Sequence, residues 1–411
     1  MKQKLNKKIK MDLQKIQKSV HHYGCYHINI KGIPKISRVG HYIYDMSLEE
    51  EALRTEQANF FKSFCGGGFL DLLSENKEVR QLLGIPQQWI DLAYENNPNK
   101  MPMAVYIGFD LCGEKFVIND LNSDRAIVAG YQPEIAMSFA EEEPTKNFRS
   151  FYDGLQKVFQ YYTGKSNPRV LILKDINDPH IIAFESFSKR MGFSIASIND
   201  FSAYGIDVVL RTIRTHDTIL QEPEKYKKLT DALKKGLPMI NPTGAALAGH
   251  KGWIPFLTHK GLVNRFWFPE SFLVFRDHVT CSDGTFEDRQ WINSVLLSNR
   301  NSFVVKNVFS AGGREVFRGK DFSLASWTEF WKKAEEKEYP ILVEKIQDKF
   351  LKDIFVIDEG NEISLKNLNL LQRVYTIHGS NEIYSEMFGC DSWKVNASGY
   401  AFPVSFEKKS I

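Results

Sequence analysis

The sequence predicts a mixed α/β (α+β) protein with a small parallel sheet near its centre. Three observations carry that prediction. Residues 169–211 alternate strand, helix and strand, the pattern that lays parallel strands side by side. Residues 103–121 read as an antiparallel hairpin. From Ser302 onward the chain is rich in short strands.

The elements follow in order. Residues 48–94 read as helices, with a broad apolar face over Ala58–Leu73 and helical spacing continued by Val79–Leu83 and Trp89–Leu92 up to the break at Asn96–Pro98. The run Cys65-Gly66-Gly67-Gly68 is a helix-to-helix turn or a flexible ligand loop. Met103–Phe109 and Lys115–Leu121 are strands around the tight-turn signal Cys112-Gly113-Glu114. A helix over Asn147–Tyr162 leads into the strand Arg169–Leu173, the helix Pro179–Met191 closed by Gly192, and the strands Phe193–Ile198 and Ile206–Arg211. Pro238–Val263 is loop followed by helix. Strands are expected at Phe303–Lys306, Glu315–Phe317, Ile341–Ile346, Ile354–Ile357, Gln372–His378 and Lys394–Val404, with a helix over Ser326–Lys337.

Composition bounds the function. At 411 residues the chain has room for two or three domains and a sizeable core. A net charge of +3 with dispersed basic residues argues against a nucleic-acid partner. The basic stretch Met1–Ser19 lacks the apolar core and cleavage site of a secretory signal and reads as a solvated helical tail. No window has the apolar length of a membrane span. The 5 cysteines are scattered and form no CxxC pair, so neither a zinc site nor a disulfide framework is expected, and a cytoplasmic protein with reduced thiols is.

Two separated segments carry chemistry. Asp110 ends one hairpin strand, and Asp120 and Asn122 lie near the end of the next. Strand residues i and i+2 share a face, so Asp120 and Asn122 present oxygens side by side, and in a hairpin of ordinary register Asp110 falls close to them. Such an oxygen-only, incompletely filled set suits Mg²⁺ when phosphates complete the shell. A solvent-facing polar edge with Asx turns reads equally well. In SFVVKNVFSAGGREVFRG, Lys306 closes a β-branched strand, so its ammonium should project at the strand's mouth. Ser310-Ala311-Gly312-Gly313 can bend over a phosphate, and Arg314 can add a bidentate contact. An ordinary hairpin with exposed cations is the plainer reading, since the loop is neither a Walker A sequence nor GxGxxG. Ile341–Ile346 can meet an adenine edge through its backbone while Glu344 takes a polar group, or can simply be a strand ending in surface charges. Asn241-Pro242-Thr243-Gly244 leads to a helix bearing Lys251; Arg211, at the carboxyl end of a strand, and His250 are lesser candidates. No Ser/His/Asp or Cys/His triad stands out.

These pieces in this order resemble the circularly permuted ATP-grasp family, the group that includes glutathionylspermidine synthase-like ligases. The acidic segment GFDLCGEKFVINDLNSD comes first and FVVKNVFSAGGREVF later, with a small α/β unit between them and an Asn-Pro turn before a lysine-bearing helix. The resemblance runs from Ala58 to Val404. It implies an N-terminal helical region (1–100), the acidic metal-hairpin part of the palm (101–165), a pre-ATP-grasp α/β domain (166–237), a helical lysine segment (238–300) and a nucleotide-binding part (301–411). It places metal ligands at Asp110, Asp120 and Asn122, with aspartate at 120 where glutamate is usual. It places nucleotide contacts at Lys251, Lys306, Gly312, Gly313, Glu344 and Ile346, and groups beside the transferred phosphate at Arg314 and Arg373. The implied cofactors are ATP and Mg²⁺. The implied reaction joins a small or peptide-like carboxylate to an amine through an acyl phosphate. Alternatives are a non-catalytic nucleotide-binding relative, a small-molecule phosphotransferase, and a nucleotide-sugar transferase built on the central unit.

Overall fold

The computed structural model describes residues 12–15, 26–28, 34–36, 40–66, 69–124, 146–174, 185, 188–189, 191–213, 216–275, 278–281, 286–288, 290, 294, 297–309, 316–335, 340–357, 362–390 and 400–407. Most of the basic stretch Met1–Ser19 and of the helix expected over Pro179–Met191 lies outside them.

The chain opens with short strands β1 (Tyr26–Ile28), β2 (Pro34–Ile36) and β3 (Tyr44–Met46). Helices α1 (Leu48–Phe64), α2 (Phe69–Glu75), α3 (Lys77–Leu83) and α4 (Gln87–Glu95) follow. Ser47 caps α1 by accepting from the Glu50 N–H, and Glu49, Glu50 and Glu51 fill its first turn, where the helix dipole favours carboxylates. Asn76 caps α3, and Gly84, at φ 61°, closes it in the left-handed conformation that glycine tolerates. Then come β4 (Tyr106–Cys112), β5 (Val117–Asn122), α5 (Phe151–Thr163), β6 (Val170–Lys174), β7 (Ser194–Ser197), β8 (Val208–Arg211), α6 (His216–Gln221), α7 (Pro223–Lys234), β9 (Met239–Ile240), α8 (Ala245–Ala248) and α9 (Trp253–His259). The last part holds β10 (Ser271–Phe275), β11 (His278–Cys281), β12 (Phe286–Asp288), β13 (Phe303–Asn307), β14 (Val316–Arg318), α10 (Leu324–Glu335), β15 (Ile341–Lys345), β16 (Leu351–Ile357), β17 (Ile363–Ile377), β18 (Ile383–Cys390) and β19 (Tyr400–Phe406).

β1 and β2 pair with each other, and three larger sheets organise the remaining strands. A 7-stranded sheet has the order β3-β19-β18-β17-β4-β5, with β16 also on β17. A 6-stranded antiparallel sheet runs β12-β11-β10-β15-β13-β14. The expected parallel sheet is present with 4 strands, β7-β6-β8-β9. The sheets cut across the segment boundaries read from the sequence. β13–β15 pair with β10–β12 from the preceding segment, whereas β16–β19 return to the sheet that holds the acidic hairpin, and β9 joins the parallel sheet.

Alternation along the strands decides what faces what. In the 6-stranded sheet, Phe272, Val274, Phe303, Val305, Ile341 and Val343 pack with Trp327 and Trp331 of α10. Leu273, Leu342, Lys306 and Glu344 take the opposite face. In the 7-stranded sheet, Phe109, Leu111, Val374 and Met387 join α1 residues Ala58 and Phe61 in the main core. The other face carries the row Asp120–Asp110–Arg373–Glu386, four residues in direct cross-strand register.

Asn241 and Arg211 weld the hairpin to the parallel sheet. The fully buried Asn241 side chain accepts from the N–H groups of Val105 and Tyr106 at 2.8 and 2.9 Å, and donates to the carbonyls of Tyr106 and Ser123 at 2.9 and 2.6 Å. Arg211 donates to the carbonyls of Asn241, Pro242 and Ile213 and pairs with Asp124 at 3.1 Å. Its guanidinium is therefore a structural tie, which corrects its reading as a ligand candidate. Asn241→Ala strands two buried N–H donors and is expected to cost about 3 kcal/mol in urea unfolding. Asn99→Ala, which loses one exposed bond to Gly236, should cost under about 0.5 kcal/mol.

Candidate active site

The hairpin turn is longer than its sequence signal suggested. Gly113 and Phe116 both take positive φ, +74° and +48°, so β4 runs on to Cys112 and Asp110 sits within the strand, not at its end. Cys112 pairs with Val117 and Leu111 with Ile118, a register that would set Asp110 opposite Asn119 and turn Asp120 toward the core. A β-bulge at Asn119 prevents this. Beyond it Asp110 pairs with Asp120 and Gly108 with Asn122, so Asp120 and Asn122 share the face of Asp110. The convergence read from the sequence exists, through a bulge instead of an ordinary register.

The lysines reach the same place. Lys306 is buried on its sheet face, not projecting at a strand mouth, and its Nζ lies 3.0 Å from both Glu344 carboxylate oxygens. It also donates to the Asn119 carbonyl at 2.9 Å, across the gap between the two large sheets. Burial works against this ammonium, but the carboxylates of Glu344 and Asp120 outweigh it and hold its pKa above the ordinary lysine value. Lys251 Nζ lies 3.0 Å from Asp120 Oδ1, and the Lys251 N–H donates to the Val308 carbonyl at 3.4 Å. Arg373 grips Asp110 with Nε on Oδ1 and Nη2 on Oδ2, the latter at 2.8 Å, while its Nη1 lies 3.9 Å from Glu386. Tyr375 donates to Glu386 at 2.7 Å. Glycine is required at 108, because a Cβ there would meet the Tyr375 ring at 2.9 Å.

Of the residues expected at the site, Lys251, Lys306, Glu344, Asp110, Asp120 and Arg373 come together, and Asn122 is exposed at the end of β5. Gly312, Gly313 and Arg314 lie outside the described residues. The adenine-edge reading of Ile341–Ile346 needs correction. β15 is flanked by β10 and β13, the Lys345 N–H donates to Glu270 and the Ile346 N–H to Ser302, so these amides are spent on the sheet. Glu344 is the buried counter-charge of Lys306, not a free polar group at a hinge. His250 is packed against Phe309 and accepts from the Gly252 N–H at 3.0 Å; burial, then the charge of Lys251, lowers its pKa to about 3, so it is neutral. Sequence reasoning missed Glu386, Tyr375 and Asn119. Glu386 lies in β18, whose alternation IYSEMFGC was the available signal.

Among the described residues no group of three His, Cys, Asp or Glu side chains forms a ready metal centre. The donor set itself is hard oxygen: Asp110 and Asp120 opposite each other, Asn122 one pair along, and the Asn119 Oδ1 buried without a partner. It fits Mg²⁺ bound through one or two carboxylates with phosphates completing the shell, and does not fit a dedicated protein cage. Among the described residues no helix is long and apolar enough to cross a membrane, and Cys65 and Cys112 are free thiols.

No family model matches the sequence, and no curated protein matches it. Among solved structures, the apo form of GSS30, a glutathione synthetase-like effector from Globodera pallida, aligns over 97% of this chain and 96% of its own, with a TM-score of 0.55 and 10% identity. The chain shares the overall fold of this glutathione synthetase-like protein. The ATP-grasp ligase PsnB, in complex with a minimal precursor, aligns over 55% of this chain and 77% of its own at 10% identity, but its TM-score of 0.27 carries no weight in that assignment. Here the acidic hairpin precedes the lysine strand along the chain.

Burial pushes the Glu386 carboxyl up to about 8, against the opposing pull of Arg373 and the Tyr375 hydrogen bond. A carboxyl raised above its ordinary 4.5 gives stability that is full below that value and is lost as pH rises through about 8. His250, lowered from 6.5 to about 3, works the other way but only below its ordinary value. Between those limits, from 6.5 up to about 8, thermal unfolding is expected to show falling stability, at most about 1.4 kcal/mol per pH unit from Glu386. Glu386→Gln should flatten that decline; an unchanged slope would remove Glu386 as its source.

Proposed function

We propose that this protein is an ATP-dependent ligase that joins a carboxylate to an amine through an acyl phosphate. The observation that carries the reading is the bond from Lys306, on one large sheet, to the Asn119 carbonyl of the acidic hairpin on the other. That bond sets cationic and carboxylate side chains around a common gap, the arrangement a metal-bound triphosphate requires. Asp110, Asp120 and Asn122 would hold Mg²⁺, which when bound supplies charge neutralisation between the phosphates. Lys306 and Lys251 bind and orient the phosphate oxygens. Arg373, which grips Asp110, would meet the transferred phosphoryl group as charge shifts. The substrate carboxylate attacks the γ-phosphorus and ADP departs; the amine then attacks the acyl carbon and expels phosphate. Positioning and charge neutralisation suffice for both steps, so no protein nucleophile is needed. The circularly permuted order, the loop residues Gly312, Gly313 and Arg314, and the substrate classes belong to this reading.

The test is an ADP-release screen with Mg-ATP against pools of small acids, amino acids and amines, with mass detection of product. Release that needs both an acid and an amine, with a conjugate of their summed mass less water, is the expected result. A phosphorylated product without an amine would make the protein a phosphotransferase. Binding without turnover would make it a nucleotide-binding relative.

Lys306 can be tested apart from folding. Lys306→Met leaves Glu344 buried without its counter-charge and is expected to destabilise the protein by roughly 3–5 kcal/mol. Adding Glu344→Gln should restore most of that stability in thermal melts, yet Mg-ATP binding should stay lost. Wild-type binding by the double variant would refute the assignment.

A further inference from the structure

The charged groups that the proposed reaction needs already hold one another. Lys251 is on Asp120, Arg373 is on Asp110, and Lys306 is on Glu344. Two of the three pairs join a cation suited to phosphate with a carboxylate suited to metal. All six side chains are largely buried, the most exposed being Asp120 at 26%. Such pairs are not exchanged for water without cost.

Consider each ligand arriving alone. A triphosphate without metal would draw Lys251 and Arg373 away and leave Asp120 and Asp110 facing phosphate oxygens of like charge. A divalent cation without nucleotide would take both carboxylates and leave two buried cations facing it. When both arrive, every lost partner is replaced by one of the same sign: phosphate for carboxylate at the cations, metal for cation at the carboxylates.

We propose that these ion pairs make the site accept a divalent cation and a nucleoside triphosphate as a unit and refuse either one alone. This rests on the reading of the site given above. Asp120 is then a brake on metal-free nucleotide as well as a metal ligand, and Lys251 is a brake on nucleotide-free metal. The two brakes give opposite signs on mutation, which a purely structural role for either residue does not.

Equilibrium titrations of the full chain test this. ATP is titrated in EDTA and in Mg²⁺, and Mn²⁺ is titrated without nucleotide by its paramagnetic signal. For the wild-type chain, metal should tighten ATP by about 5–150-fold, and ATP should tighten metal by the same factor. Asp120→Asn should bind ATP in EDTA about fivefold or more tightly than wild type while the gain from Mg²⁺ shrinks. Lys251→Met should bind Mn²⁺ alone more tightly than wild type and ATP less tightly. Equal ATP affinity in EDTA and Mg²⁺ for the wild-type chain would overturn the proposal. So would metal-free affinity that is unchanged or weaker in a folded Asp120→Asn, or Mn²⁺ binding that is unchanged or weaker in a folded Lys251→Met. A folded wild-type chain that binds ATP under neither condition would instead defeat the nucleotide reading itself and this inference with it. Circular dichroism melts separate any variant that fails to fold, and either variant alone decides the sign.

Discussion

The site depends on one irregularity in one hairpin, the bulge at Asn119. Ile118 belongs to the main core, and Asp120, only two residues on, must face the opposite side of the same sheet. A regular strand cannot do both, because residues two apart share a face. The extra residue absorbs the conflict. It also turns a backbone carbonyl out of the ladder, and that carbonyl is the one that accepts the Lys306 ammonium. The same distortion that puts two carboxylates side by side thus provides the anchor for the lysine that comes to meet them.

The rest of the chain holds that hairpin in place. The short stretch from Asn241 to Lys251 touches all three sheets. Asn241 follows β9 of the parallel sheet and fixes the entry of β4 and the carbonyl of Ser123 just past β5. Ser123 donates from its hydroxyl to the Ala245 carbonyl, so the exit of the hairpin is held twice. The Lys251 side chain then reaches Asp120, and its backbone reaches Val308 at the end of the lysine strand. Within such a frame, displacement of one sheet would move the hairpin and both lysines together.

How much of this the sequence disclosed follows from the range of each signal. Periodicity and turn residues are local, so the parallel sheet, the helices after Ser47 and the strand before Lys306 were legible. The site residues were legible as a set, because their types and order are properties of the chain. Register was not. The hairpin starts later than its apolar run implies, since Phe116 takes a positive φ that no bulky residue advertises. The 15-residue β17 was seen only in its second half, because Ser364-Leu365-Lys366-Asn367, where it pairs with β16, is mostly polar. β18 was missed, and with it Glu386, whose meaning comes only from lying opposite Arg373. That Asn241 and Arg211 serve the backbone instead of a ligand is likewise a long-range fact.

Stability alone does not account for so many buried charges. One apolar core already joins the two large sheets: it runs from Phe109, Leu111 and Val374 through Trp253 and Val308 to Leu273 and Leu342. Buried ion pairs contribute little beyond what apolar residues of equal volume would give, and often less, since each ion must first leave water. Lys306, Glu344 and Asp110 are all 6% exposed or less, and a buried pair such as Lys306–Glu344 could be replaced together by apolar side chains of similar volume. Their placement around one gap is what a protein that receives a charged ligand there, as proposed above, would have to keep. On the proposed reading, the pairs would hold those charges solvated by one another until a partner with both signs, a metal-bound polyphosphate, took their place.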